Sequence, residues 1–249
     1  GIMSNFTTSR ASFKTMVATK TTIRSADDSL NLETCSYTTS SSPSNKLEVI
    51  FITGWNESYI KYEELYADFN ARGHTVHTYD HRSQGFSGRS AAAGSPDMSY
   101  VNSFEDYIDD FFHFVESLSS SSKFILVGHS MGGMIALNVA ARQPHLFTSV
   151  TANAPMICFK TDGWPWPVAG FLGKFFCSVG LGSQFAIGSP QPHWEPTSLN
   201  FGQQTTHSVA RLSKYLAQRK QHPCVCLAGP SFKWILEVSA RSELHPLLN

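Results

Sequence analysis

The sequence predicts an α/β protein built on a mostly parallel sheet with helices on both faces. Two observations carry that reading. Apolar runs too continuous for a half-exposed strand, Leu47–Thr53 and Phe124–Gly128, alternate with amphipathic helical segments from Leu47 to Ala154. The chain of 249 residues, 41% of them apolar, is also long enough to bury one sizeable core.

The elements follow in order. Val17–Arg24 and Leu32–Thr38 read as two short strands, with a loop at Ser40–Asn45. Leu47–Thr53 is the first core strand. Ser58 is expected to cap a helix whose Tyr62, Leu65, Tyr66 and Phe69 share a face and which Gly73 ends. His74–Tyr79 is a second core strand, followed by a Gly/Ser-rich loop from Asp80 to Ser99. The clearest helical period places Phe104, Tyr107, Ile108, Phe111, Phe112, Val115 and Leu118 on one face, with Asp106, Asp109, Asp110 and Glu116 off it. Ser103 and Asp106 resemble a capping box at its start. Phe124–Gly128 leads into a helix from Met131 to Arg142, which Pro144 terminates, and Thr148–Asn153 is the fourth core strand.

Past Pro155 the pattern changes. Prolines, glycines and aromatics cluster through Trp164–Pro167 and Phe171–Phe176, and no clean strand is expected until Cys224–Leu227. The expected organisation is a core over residues 1–154, a helical cap over 155–230 inserted after the fourth core strand, and a return helix, Ser231–Arg241, within 231–249.

Composition excludes several function classes. Nineteen Lys and Arg balance nineteen Asp and Glu, which argues against nucleic-acid binding. The five cysteines are too few and scattered for a disulfide framework, and Cys224-Val225-Cys226 lacks the spacing of a metal site, so neither metal nor cofactor is expected. No secretory signal is read at the start, and the apolar stretch Trp164–Gly182 is broken by prolines, glycines and Lys174. A cytoplasmic location is expected, with peripheral contact at the inner membrane face; the sequence does not give the oligomeric state.

The chemistry centres on Gly128-His129-Ser130-Met131-Gly132-Gly133, a G-x-S-x-G turn between a buried strand and a helix. A hydroxyl at such a turn needs a strained backbone, and the flanking glycines leave it room. Ser130 is the expected nucleophile, at a helix N-terminus that favours a developing oxyanion. The backbone N–H groups of Met131 and of Trp55, in the loop after the first core strand, are the expected oxyanion donors. His129 adjoins Ser130 but at the x position points away from its hydroxyl. Asp80 and Arg82 are expected to hold their loop rather than touch substrate.

These segments resemble the α/β-hydrolases of the bacterial lysophospholipase and monoacylglycerol lipase group. The resemblance rests on Trp55–Tyr59 with Lys61-Tyr62, on Asp80-His81-Arg82-Ser83-Gln84-Gly85-Phe86-Ser87-Gly88-Arg89, on Tyr100-Val101 to Phe104 and Asp106-Tyr107 to Asp109-Asp110-Phe111, on Gly128–Gly133 and on Ala154-Pro155-Met156. Weaker echoes run from Asn200 through Thr206-His207-Ser208, Arg211 and Gly229-Pro230 to Trp234. Ser83 replaces a glycine usual in the group, and Thr53 stands where monoacylglycerol lipases typically have His. The resemblance implies an α/β-hydrolase fold and a serine esterase acting on lysophospholipids or monoacylglycerols. Trp164, Trp166 and Phe171 are then candidates to contact the lipid ester.

The fold's chain order is Ser, then Asp or Glu, then His, on loops after later strands. The last aspartate here is Asp162, and only Glu237, Glu243, His222 and His245 lie towards the end, none after a suitable strand. The acid, the base and the last strands are therefore expected to be absent, as in an incomplete copy of an ordinary hydrolase. The chain alone should then be inactive. The alternatives are a catalytically silent lipid- or partner-binding homologue, and a serine hydrolase with a non-lipid ester or peptide substrate.

Overall fold

A computed structural model describes residues 16–39, 47–118, 123–157, 166–188 and 206–242. Six strands form the main sheet in the order β1-β2-β4-β3-β6-β7. They are β1 (Met16–Arg24), β2 (Asn31–Thr39), β3 (Glu48–Ile52), β4 (Val76–Tyr79), β6 (Phe124–His129) and β7 (Phe147–Asn153). The pairs β1–β2 and β2–β4 are antiparallel, whereas β4–β3, β3–β6 and β6–β7 are parallel. The parallel core is the part that the continuous apolar runs predict. The antiparallel hairpin extends it.

One face of the sheet carries helices α2 (Glu105–Ser117) and α3 (Met131–Arg142), packed on Ile50, Ile52, Phe124 and Leu126. The other carries α1 (Glu63–Ala71), where Tyr66 packs on Tyr37, Val49, Phe51 and Val76. On α2 the expected face is buried at Tyr107, Ile108 and Phe111, with Phe104 ahead of it, and Phe114 joins them. Asp110, expected off that face, is buried too, because it receives the Arg82 guanidinium through two 2.7 Å bonds. The Ser103 N–H donates to Asp106 Oδ2 at 3.2 Å, the reciprocal half of a capping box.

Beyond β7, α4 (Trp166–Ser178) lies against α6 (Phe232–Ser242). A Cβ on Gly173 would come within 3.1 Å of Phe232 O, so a larger residue would have to push the helices apart by a few tenths of an ångström. Phe176 stacks on Phe232 at 4.1 Å. Helix α5 (Val209–Gln221) covers the loop after β3, and Trp234 of α6 is fully buried, its indole N–H donating to Tyr107 Oη.

Two local expectations are corrected. Ser58 does not cap a helix: its hydroxyl donates to Asp80 Oδ2 at 2.8 Å, a 3-10 turn follows over Tyr59–Tyr62, and α1 begins at Glu63. Cys224–Leu227 is not a strand. Pro223, whose ring fixes φ, starts a 3-10 turn through Val225, and the nearby strand is the two-residue β8 (Gly229–Pro230), parallel to β5 (Met98–Ser99). That short pair had no periodic signal to announce it.

Candidate active site

Strand β6 delivers Ser130 to the C-terminal end of the parallel sheet, and α3 starts at the next residue. Ser130 has φ 53° and ψ −117°, a backbone conformation costing on the order of 1–3 kcal/mol for a non-glycine residue. Neighbours enforce it. The Ser130 N–H donates to Asn153 O at 3.0 Å, and its carbonyl accepts from Met156 N–H at 2.9 Å. A Cβ on Gly128 would lie 2.3 Å from Gly132 O, and one on Gly132 would lie 2.4 Å from both Ile52 O and Thr53 O. Both glycines are therefore steric requirements of a turn that leaves Ser130 half-exposed.

The loop after β3 packs directly on that serine. A Cβ on Gly54 would be 3.0 Å from Ser130 Cβ. Trp55 follows, with its indole N–H bonded to Ser99 Oγ at 2.6 Å and its ring 5.4 Å from that of Trp234. Met131, the first residue of α3, is fully buried. The turn therefore brings Gly54-Trp55 and Ser130-Met131 side by side.

Buried side chains that the sequence reading did not single out by role hold this loop. Glu57 accepts from Gly54 N–H at 2.7 Å, from Tyr62 Oη at 2.7 Å and from the Lys61 ammonium. Burial would raise its pKa, but the charges of Lys61 and His129 and the donated bonds outweigh that and lower it. Asn56, at φ 55°, exchanges two bonds with the Leu227 backbone at 3.1 and 2.9 Å, as a strand neighbour would. Arg219 and Tyr215 of α5 reach the Asn56 carbonyl at 3.5 and 3.3 Å, the long end of hydrogen bonding. No short-range pattern announces these partners, which lie up to 171 residues away.

Buried hydrogen bonds hold the loop from Asp80 to Arg89. Asp80 is fully buried and accepts from Tyr59 N–H, Ser58 Oγ and Phe86 N–H, each at 2.8 Å. Burial nevertheless pushes its pKa up to about 7. Arg82 also reaches Asp27 at 3.2 Å, and Arg89 donates to the carbonyls of Pro96, Ser87, Gly85 and Cys224.

Candidate bases and acids are placed as follows. His129 lies 3.9 Å from Glu57 Oε1 and 3.4 Å from Asn153 Nδ2. His81 is buried, with Nε2 on Thr53 O, and burial lowers its pKa to about 4. His222 stacks edge-on against Phe86 at 5.3 Å. Glu237 accepts from Phe104 N–H and pairs with Lys233. Asp162, Glu243, His245 and Trp164 lie outside the described residues, as does the Trp166 side chain; Phe171 projects from α4, 67% exposed. Among the described residues, no His or carboxylate bonds to Ser130 Oγ and no His/Cys/Asp/Glu cluster could hold a metal. Cys226 Sγ instead accepts from Arg219 Nε at 3.2 Å.

The family model described as "Serine aminopeptidase, S33" matches residues 43–243, and the chain belongs to that family of α/β-hydrolases. Lysophospholipase L2 of Escherichia coli (strain K12) is 30% identical over 192 residues, which cover 76% of this chain and 55% of that protein. The probable lysophospholipase L2 of Haemophilus influenzae is 28% identical over 194 residues, covering 75% and 58%. The chain thus spans little more than half the length of these relatives. A soluble variant of monoglyceride lipase from Saccharomyces cerevisiae shares the fold with a TM-score of 0.66 at 21% identity, covering 97% of this chain and 73% of that one. A carboxyl esterase from Bacillus coagulans does so at 0.61 and 16%, covering 92% and 74%.

Proposed function

We propose that this chain carries the nucleophile of a serine esterase acting on lysophospholipids or monoacylglycerols, with residues 155–230 as its cap. The observation that carries the reading is the left-handed, half-exposed Ser130 at the strand–helix turn. Ser130 Oγ attacks the acyl carbonyl, the Met131 and Trp55 N–H groups hold the oxyanion, and the alcohol leaves. Water then releases the fatty acid from the acyl-enzyme. The lysophospholipase relatives support a lipid ester rather than a peptide as substrate.

Trp164, Trp166 and Phe171 are proposed to meet the acyl chain as it leaves a bilayer. Phe171, Phe175 and Val179 recur every four residues along and just beyond α4, at 67%, 50% and 54% exposure, and Leu181 and Ile187 further along are exposed as well. Phe176 faces α6 instead. Such an exposed apolar patch suits peripheral contact with a membrane surface.

The test is hydrolysis of lysophosphatidylcholine and monooleoylglycerol by this chain and by Ser130→Ala, with fluorophosphonate labelling. Label on Ser130, absent from Ser130→Ala, is the expected result. Label that survives Ser130→Ala would sink the reading. A second reading is a silent lipid binder. It expects lysolipid binding with neither label nor fatty acid release.

A further inference from the structure

We infer that Gln84 is a positioning residue that sets the direction of the Trp55 N–H, and so of the proposed oxyanion donor. Gln84 is 2% exposed, between two residues in the left-handed region, Ser83 at φ 61° and Gly85 at φ 57°. A Cβ on Gly85 would lie 2.0 Å from Asp80 Oδ2, so the loop turns tightly around that carboxylate. It presents Gln84 to the neighbouring loop, where Nε2 donates to Gly54 O at 2.9 Å and to Glu57 O at 3.0 Å. Both partners are carbonyl oxygens, so the orientation of the side-chain amide is forced.

The Gly54 carbonyl belongs to the same planar peptide as the Trp55 N–H. In a trans peptide the two point in opposite directions, so holding the oxygen aims the hydrogen. Glu57 holds the preceding Gly54 N–H at 2.7 Å, and Asn56 anchors the far end of the loop to Leu227. Between these anchors, Gln84 holds the oxygen of the Gly54–Trp55 peptide and thereby its plane. The role is chemically specific: an ionised carboxylate of the same shape repels the Gly54 oxygen, whereas a protonated one can donate to it.

The proposal rests on the esterase reading for its consequence, but its geometry is testable apart from it. Gln84→Glu should slow fluorophosphonate labelling of Ser130 by about 10²-fold or more at pH 8, the cost of one oxyanion donor. The deficit should shrink as pH falls and the new carboxyl protonates, while wild type shows no such recovery. A merely structural role would not produce that profile. The backbone amide signal of Trp55 in ¹⁵N NMR should shift in Gln84→Glu, with the α2 amides unmoved. Unchanged labelling alongside a labelled wild type would overturn the proposal. If wild type itself takes no label, the esterase reading fails, and the Trp55 signal decides alone: unmoved, it overturns the role of Gln84. Should Gln84→Glu not fold, Gln84→Asn, which keeps a donor but shortens its reach, gives the same contrast through the Trp55 signal.

Discussion

At Ser130 a hydrogen-bonded frame holds a backbone conformation that serine alone would avoid. Ser130→Gly should therefore stabilise the chain by about 1 kcal/mol in urea unfolding while abolishing fluorophosphonate labelling. A loss of stability would mean that the frame, not the residue, prefers this geometry. Two buried titratable groups nearby work against each other. His81 has its pKa lowered to about 4 by burial, so between pH 6.5 and 4 the unfolded chain takes up a proton that the fold refuses. Its contribution is lost as pH falls, on the order of 3 kcal/mol at most. Asp80, raised to about 7 by burial, does the reverse: the fold keeps a proton that the unfolded chain has released, so stability falls as pH rises from about 4 to 7. The summed contribution of the pair should be nearly flat from pH 4 to 6.5. His81→Gln removes one side, and should be more stable at pH 5 than at pH 7 in urea melts. An equal slope in both proteins would refute the opposition. The local turn at Ser130 was legible in sequence; the sign of these two shifts was not, because burial is a property of the assembled fold.

Across elements, strands β2, β4 and β3 bring a serine hydroxyl to an imidazole. Ser36 Oγ lies 2.8 Å from His77 Nδ1, and His77 Nε2 lies 2.9 Å from Glu48 Oε2. Burial lowers the His77 pKa even though Glu48 opposes it. The order of contacts is that of a Ser-His-Glu triad, yet it is cross-strand packing. β2 is paired on both sides, so its backbone N–H groups belong to ladders and offer no oxyanion hole. Fluorophosphonate should label nothing at Ser36 in Ser130→Ala, as read by peptide mass mapping. Elements with a clean period, α2, α3 and the core strands, could be read from sequence to within a residue or two. Ser58 and the 224–227 segment could not, because the first is taken by Asp80, 22 residues away, and Leu227 is held by Asn56. Long-range partners override local preference at such sites.

For the molecule as a whole, the two ends of the sheet differ. β1 ends one side and carries Lys20 and Arg24, charges that discourage further pairing. β7 ends the other with the uncharged sequence FTSVTAN, and Thr148 through Thr151 are exposed. Among the described residues it pairs only with β6. Concentration-dependent association is expected at this edge, and Val150→Lys should reduce it in light scattering while changing stability by no more than about 0.5 kcal/mol. Unchanged scattering would place the contact elsewhere. Alternating apolar periods determined the sheet, its helices and the turn that strains Ser130, because these follow from short-range burial and sterics. Which buried groups hold the Trp55 loop was decided only in three dimensions. Gln84, Glu57 and Asn56 acquire their roles because folding buries polar atoms that must then find partners wherever the chain brings them.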